Sequence, residues 1–323
     1  MTTTLRAGSP EDLLAAVPIV LGFHPDDSVV MLTFDAPRTF HARVDLPSPN
    51  DLDDLDALDH QVSELCEALR APCLVHGVAR VAFVIYSRDV ALVTRVSGAL
   101  RASFASADIA VIGMLRAHAG RWWPVPSGRG QRGRPYDAVS HPFAAQAVFE
   151  RHVTHASREE LRETLAGDAD AQARVAECRR GLGPSAYVET GSLLEALGRW
   201  VETLDDPDDE EAARLLLAVG RTEARDSVLM AVSRETARDH LRVWSGLLRR
   251  APADQVAVAA VLTAFAAWQA GHGALAWCAL DRCFDAEPQH ALARQLAECL
   301  ARAVPPSAWD EATEPPTGES DSG

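Results

Sequence analysis

The apolar and polar positions change their period at about residue 126. Before that point short apolar runs alternate with helical spacings. Residues 13–34 read LLAAVPIVLGFHPDDSVVMLTF, an apolar stretch, a sharp polar break over 22–28, then β-branched and apolar residues again. Ser9-Pro10-Glu11-Asp12 ahead of it supplies an N-cap hydroxyl, a proline for the first helical position and acids for the first turn. The pattern predicts a short helix that Pro18 limits or kinks, a turn, and a buried strand over 28–34.

A second strand is expected over 39–46, where Phe40, Ala42 and Val44 alternate with His41, Arg43 and Asp45. Leu52, Leu55, Leu58, Val62, Leu65 and Leu69 are spaced by threes and fours, so 52–69 reads as an acidic amphipathic helix. Residues 78–86, VARVAFVIY, form the strongest strand pattern, followed by a helix over 89–104 and a strand over 109–115. His118-Ala119-Gly120 reads as a turn into a last strand over 121–125. The order α-β-β-α-β-α-β-β is a hairpin followed by two crossovers, which gives a mixed sheet with helices packed on it.

Residues 126–135, PSGRGQRGRP, have no apolar period and read as a long loop or linker. Everything beyond is helical in pattern, with helices expected near 157–166, 169–181, 191–204, 208–219, 223–248, 254–270, 273–285 and 289–303. Residues 258–290 resemble one tetratricopeptide-like helical hairpin, or an ordinary one. The expected organisation is an α/β domain at 1–137, an all-α domain at 138–303 and a polar, proline-rich tail at 304–323 that does not order itself.

Composition narrows the chemistry. All 31 basic residues are Arg, and the net charge is −15. Without Lys there is no P-loop, pyridoxal or kinase site of the usual form. The acidic balance disfavours nucleic acid and acidic membrane as partners. The six cysteines, at 66, 73, 178, 278, 283 and 299, include no C-x-x-C pair and sit mostly in apolar helical patterns. They read as buried thiols in a reducing cytoplasm, with neither disulfide nor zinc. No basic region precedes the apolar run at Leu13, and that run is shorter than the ~20 residues of a membrane span, so neither a secretory signal nor a membrane partner is expected. No cofactor is implied.

Several segments together resemble an uncharacterised bacterial family found mainly in high-GC Gram-positive, actinobacterial organisms. They are LLAAVPIVLGFHPDDSVVML, ARVDLP at 42–47, GRWWPV at 120–125, TEARDSVL at 222–229, and AAWQAGHGALAWCALDR. The family's hallmark is an LLGF-HP-x-DS-VV segment near the N-terminus. The resemblance implies a family name and no assigned activity. Many members carry cysteines shortly after the paired Trp; PVPSGRGQRGRPYD has none, so any chemistry those cysteines perform is not available here.

Three polar stretches are candidates for function. In the first, the polar stretch that ends at Ser28, His24 is placed to act as a general base or anion ligand, with Asp26 and Asp27 orienting it or holding a cation. The same Pro-Asp-Asp-Ser is also good turn chemistry. In the second, Arg88 and Asp89 follow a strand and open a helix, where an anion could bind; Asp89 could equally be only an N-cap. In the third, Arg121 and Trp122 belong to a run of five Arg and two Trp over 116–134 that could grip an acidic or nucleotide partner, or simply be a solvated loop. The favoured function is a non-catalytic interaction or regulatory protein, with an unknown protein partner on the helical half and a small anionic ligand on the α/β half. The alternative is an enzyme with His24 as base, supported by Asp26, Asp27, Arg88 and Asp89. A joint site requires His24 and Arg88 to open onto one cleft.

Overall fold

The computed structural model describes residues 8–36, 39–48, 54–128, 130–149, 153–182, 189–203 and 205–313. The chain forms two compact units, Met1–Arg158 with Ala301–Ala303, and Glu159–Leu300 with Val304–Gly323.

The first unit is α/β. Helix α1 (Pro10–Leu21) starts on a reciprocal capping box: Ser9 Oγ accepts from the Asp12 N–H, and the Asp12 carboxylate accepts from the Ser9 N–H at 2.9 Å. It runs through Pro18 and closes at Gly22, whose φ of 78° only glycine adopts easily. Strands β1 (Ser28–Phe34) and β2 (His41–Asp45) form the expected hairpin. Helix α2 (Leu55–Val75) leads to β3 (Arg80–Tyr86), and α3 (Val90–Ala105) leads to β4 (Ala110–His118). Strand β5 (Arg121–Pro124) folds back on β4. With β6 (Arg134–Pro135) at the far edge, the sheet order is β2-β1-β3-β4-β5-β6; β3 and β4 are parallel and every other pair is antiparallel.

Each face of this sheet is buried, which explains why β1 and β3 read as continuous apolar runs. Val29, Met31, Phe83 and Ile85 join α2 and α3 in one core. Val30, Leu32, Val84, Leu115 and Trp122 join Leu14 and Val17 of α1 in the other.

Two features depart from expectation. Within the supposed linker, β6 (Arg134–Pro135) pairs with Arg121 and Trp122. Its two residues are too few to show any apolar period. The α/β unit also extends past residue 137. Helix α4 (Pro142–Phe149) packs on α1. His141 Nε2 lies 3.1 Å from Asp12 Oδ1, and His155 exchanges backbone hydrogen bonds with Gly22 and His24.

The elements of the second unit among its described residues are helices: α5 (Arg158–Glu163), α6 (Ala169–Gly181), α7 (Thr190–Thr203), α8 (Asp209–Val219), α9 (Thr222–Ala231), α10 (Ala237–Arg250), α11 (Val256–Gln269), α12 (Gly273–Ala286), α13 (Ala291–Ala301) and α14 (Ser307–Thr313). The single helix expected over 223–248 is two, α9 and α10. Between them Ser233 Oγ accepts from the Thr236 N–H and Thr236 Oγ1 from the Ser233 N–H, both at 3.3 Å. Such local bonds offer the backbone an alternative to helix, while the flanking apolar period continues past them. Helices α11 and α12 form the expected hairpin around Gly271, at φ 80°.

The tail expectation is corrected in part. α14 forms within it, Trp309 meets Phe265 edge-on at 4.9 Å, and the Val304 carbonyl accepts from Trp268 Nε1. One aromatic anchor outweighs the polar composition around it. Residues 314–323 lie outside the described residues.

Candidate functional site

One register row crosses the sheet on the α1 face. Ser28 pairs with Tyr86, Tyr86 with Ala117, Ala117 with Trp122, and Trp122 with Arg134. Directly paired residues project to the same side, so this row alternates bulk with a gap. Ala117, a methyl between a phenol and an indole, leaves a hollow. The hollow sits at the C-terminal ends of the parallel strands β3 and β4, where ligands of open α/β sheets usually bind.

A cleft of about 130 Å³ opens there. Its polar and aromatic lining is His24, Asp26, Tyr86, His118 and Tyr136; its apolar lining is Leu14, Pro18, Pro25, Ala117, Ala119 and Ala138. Three loops supply it. The first, between α1 and β1, is pinned by its backbone: the His24 N–H donates to the His155 carbonyl at 3.0 Å, and the Asp27 carbonyl accepts from the Leu46 N–H at 2.9 Å. The second is the β4–β5 turn, with Ala119 and Gly120 both left-handed at φ 47° and 68°, the conformation a two-residue hairpin demands. The third follows β6, where the Tyr136 N–H donates to the Gly120 carbonyl.

The two phenols stay protonated well into alkaline solution. Burial, and secondarily the neighbouring Tyr136, push the Tyr86 hydroxyl far above its ordinary value; burial raises Tyr136 as well. Both are therefore neutral near pH 7. Among the described residues no Arg lines the cleft, and neither does any Ser, Thr or Cys.

The residues singled out in the sequence separate. His24 and Asp26 line the cleft. Asp27 builds the turn, at φ 36°, its N–H donating to Asp26 Oδ1. Ser28 is fully buried beside Tyr86 in the register, its Oγ without a partner among the described residues. Asp89 is the N-cap of α3, accepting from the N–H groups of Ala91 at 2.8 Å and Leu92 at 3.0 Å. Arg88 is exposed and does not line the cleft. A joint His24–Arg88 site is not what the geometry assembles. Arg121 is bound to the Gly133 carbonyl at 2.7 Å, and Trp122 is buried, with Nε1 donating to Glu11 Oε1 at 3.1 Å.

Sequence reasoning missed His118, Tyr136 and the gap at Ala117. The available signal was the parallel pairing of β3 and β4, which brings the residues at their C-terminal ends together. It also passed over glycines 128, 130 and 133, which stand at G-x-G-x-x-G spacing. That motif carries phosphate chemistry only between a strand and a helix N-terminus; here it joins β5 to β6.

Residues 10–307 match the family model described as Domain of unknown function (DUF4192). The chain belongs to this family. No curated protein and no solved structure matches it. The DUF4192 match runs from α1 to the first residue of α14 and so includes the cleft. Among the described residues no three His, Cys, Asp or Glu gather as a metal ion would need. No described helix is long and apolar enough to cross a membrane. Burial pushes the Cys73 and Cys283 thiols up to about 12.

Proposed function

We propose that this DUF4192 protein is a non-catalytic interaction protein whose α/β unit binds a small polar molecule in the Tyr86–Ala117 cleft. The observation that carries the reading is the lining itself: two phenols, two imidazoles and a carboxylate face a hollow at the loop edge of parallel strands. Such a site orients a ligand by hydrogen bonds. Among the described residues its lining has no Ser, Thr or Cys. The packed helices of the second unit are, in this reading, the platform for a protein partner, since grooves between helices commonly receive a partner's segment. A reducing, cytoplasmic setting suits the buried thiols of Cys66, Cys73 and Cys283.

The alternative, an acid–base enzyme, draws its support from His24 sharing the cleft with Asp26 and His118. Its proposed helpers Arg88 and Asp89 are exposed and engaged in a helix cap, respectively.

The test is a thermal-shift screen of small polar compounds on the native protein and on Ala117→Leu, which fills the hollow. A ligand present at 100 times its dissociation constant adds about 2.7 kcal/mol to the folded state. The expected result is a stabiliser that fails on Ala117→Leu. A compound that stabilises both proteins equally binds elsewhere and removes the cleft from the function.

A further inference from the structure

The chemistry of the cleft says more than that a small molecule fits. Four aromatic rings line it, from Tyr86, Tyr136, His24 and His118, and the single formally charged acid or guanidinium side chain among the lining residues is the Asp26 carboxylate. The guanidinium on the same register row, Arg134, lies over the Trp122 ring at 5.1 Å, outside the cleft lining. Arg88, which an anionic ligand would need, is outside it too. The chain as a whole carries a net charge of −15, a field that concentrates cations and repels anions. Aromatic faces attract cations through their quadrupole, and a small set of rings with one acid is the usual recognition chemistry for an ammonium group. The phenols add to this because they remain uncharged hydrogen-bonding groups at neutral pH. Among the described lining residues an anion would meet Asp26 and no permanent positive charge, and the Arg43 guanidinium that reaches the Asp26 carbonyl at 3.5 Å is paired with Asp45.

We infer that the ligand of this cleft is a small organic cation, an alkylated ammonium group held against the tyrosine and histidine rings with Asp26 as its counter-ion. The inference rests on the small-molecule reading above and fixes the sign of the charge. It replaces the anionic ligand that the sequence suggested. The volume, about 130 Å³, suits a head group with a few methyl substituents and not a nucleotide.

The probes are tetramethylammonium, its neutral analogue tert-butanol, acetate and inorganic phosphate, each titrated into the full-length protein at matched ionic strength. Binding is followed by saturation transfer to the ligand protons, by phosphorus resonance for phosphate, and by calorimetry. Tetramethylammonium should bind and the other three should not. Tyr136→Leu, at a half-buried position, should weaken it about tenfold, whereas Tyr136→Phe, which keeps the ring, should leave it nearly unchanged. Asp26→Asn should weaken it several-fold, and that difference should shrink as salt is added. If acetate or phosphate binds instead, and Ala117→Leu abolishes it, the cleft is a site but the cation assignment is wrong. If tetramethylammonium binds native protein and Ala117→Leu equally, both the assignment and the cleft reading fail. Absence of binding by every probe also overturns the cation assignment. Circular dichroism of each variant separates lost binding from lost folding.

Discussion

Two clusters of aromatic residues belong to the same sheet, and they end differently. At the β5–β6 edge the rings are covered by the protein itself. Trp122 is buried against α1, and Arg134 lies over its ring. Trp123 has the Arg116 guanidinium 3.9 Å from its centroid, and a Cβ on Gly133 would collide with its indole. Beyond Ala117 on the row of Trp122, Tyr86 faces a hollow together with Tyr136, which follows β6. Arginine is where the aromatic faces are already occupied and absent where they are free. Residue type alone does not mark a binding surface; the same Arg and Trp that suggest nucleotide stacking are spent on holding a hairpin closed.

If the hairpin is structural, damage to it should appear as lost stability. Trp122→Ala removes a buried indole and leaves Glu11 without its donor. The expected cost is about 3–5 kcal/mol, measured by urea denaturation. A loss under ~1 kcal/mol would mean the ring is not part of the core and would erase the contrast.

The cleft side can be read by alkaline titration. Folded-state pKa values of Tyr86 and Tyr136 lie above the unfolded value near 10. Below that value both states hold the phenolic proton and nothing is lost. As pH rises past it the unfolded chain ionises first, so stability falls until the folded phenols titrate. The slope is about 1.4 kcal/mol per pH unit for each tyrosine. Tyrosinate absorbance should therefore rise late, together with unfolding, and Tyr86→Phe should remove part of the alkaline loss. An ordinary titration of all three tyrosines near pH 10 in folded protein would contradict the burial of this pair.

Gly133→Ala sharpens the hairpin half. The new methyl would meet the Trp123 ring, a flat neighbour pinned by Arg116 and by its own Nε1–H bond to the Gln131 carbonyl. The expected cost is about 1–3 kcal/mol, read by chemical denaturation. An unchanged midpoint would show that the indole is free to move.

Much of this fold was legible in the sequence because its signals are local. Buried strands announce themselves as apolar runs, as in 28–34 and 78–86, and Ser9-Pro10-Glu11-Asp12 carries its cap in four residues. What stayed hidden depends on pairing between distant segments. β6 exists because Arg134 meets Trp122, and α4 belongs to the α/β unit because His141 and His155 reach back to Asp12, Gly22 and His24. The cleft is of the same kind. His24 and Asp26 could be named from the sequence, but Ala117 matters only as the small member of a row whose other members come from four other strands. The paired Ser233 and Thr236, whose side chains bond each other's backbone N–H, lay in plain view and lost to the stronger apolar period around them.

The smallest expected effect separates the start of α3 from the cleft beside it. Asp89 looks like a ligand group by position, at the strand-to-helix junction where anions bind. Its Oδ1 is instead taken by two backbone N–H groups of α3, and its own N–H is held by Ser87 Oγ at 3.1 Å. An N-cap filled in this way leaves the orphan donors of the helix satisfied by the chain. Asp89→Ala should therefore cost about 1 kcal/mol of stability, and Asp89→Ser should recover most of it, because a hydroxyl caps nearly as well. Neither change should alter the affinity of a cleft ligand, since Asp89 is outside the lining. The measurement is a denaturation curve paired with a ligand titration on the same two variants. A serine that restores stability while alanine and serine both lose the ligand would return Asp89 to the site and extend the cleft toward α3.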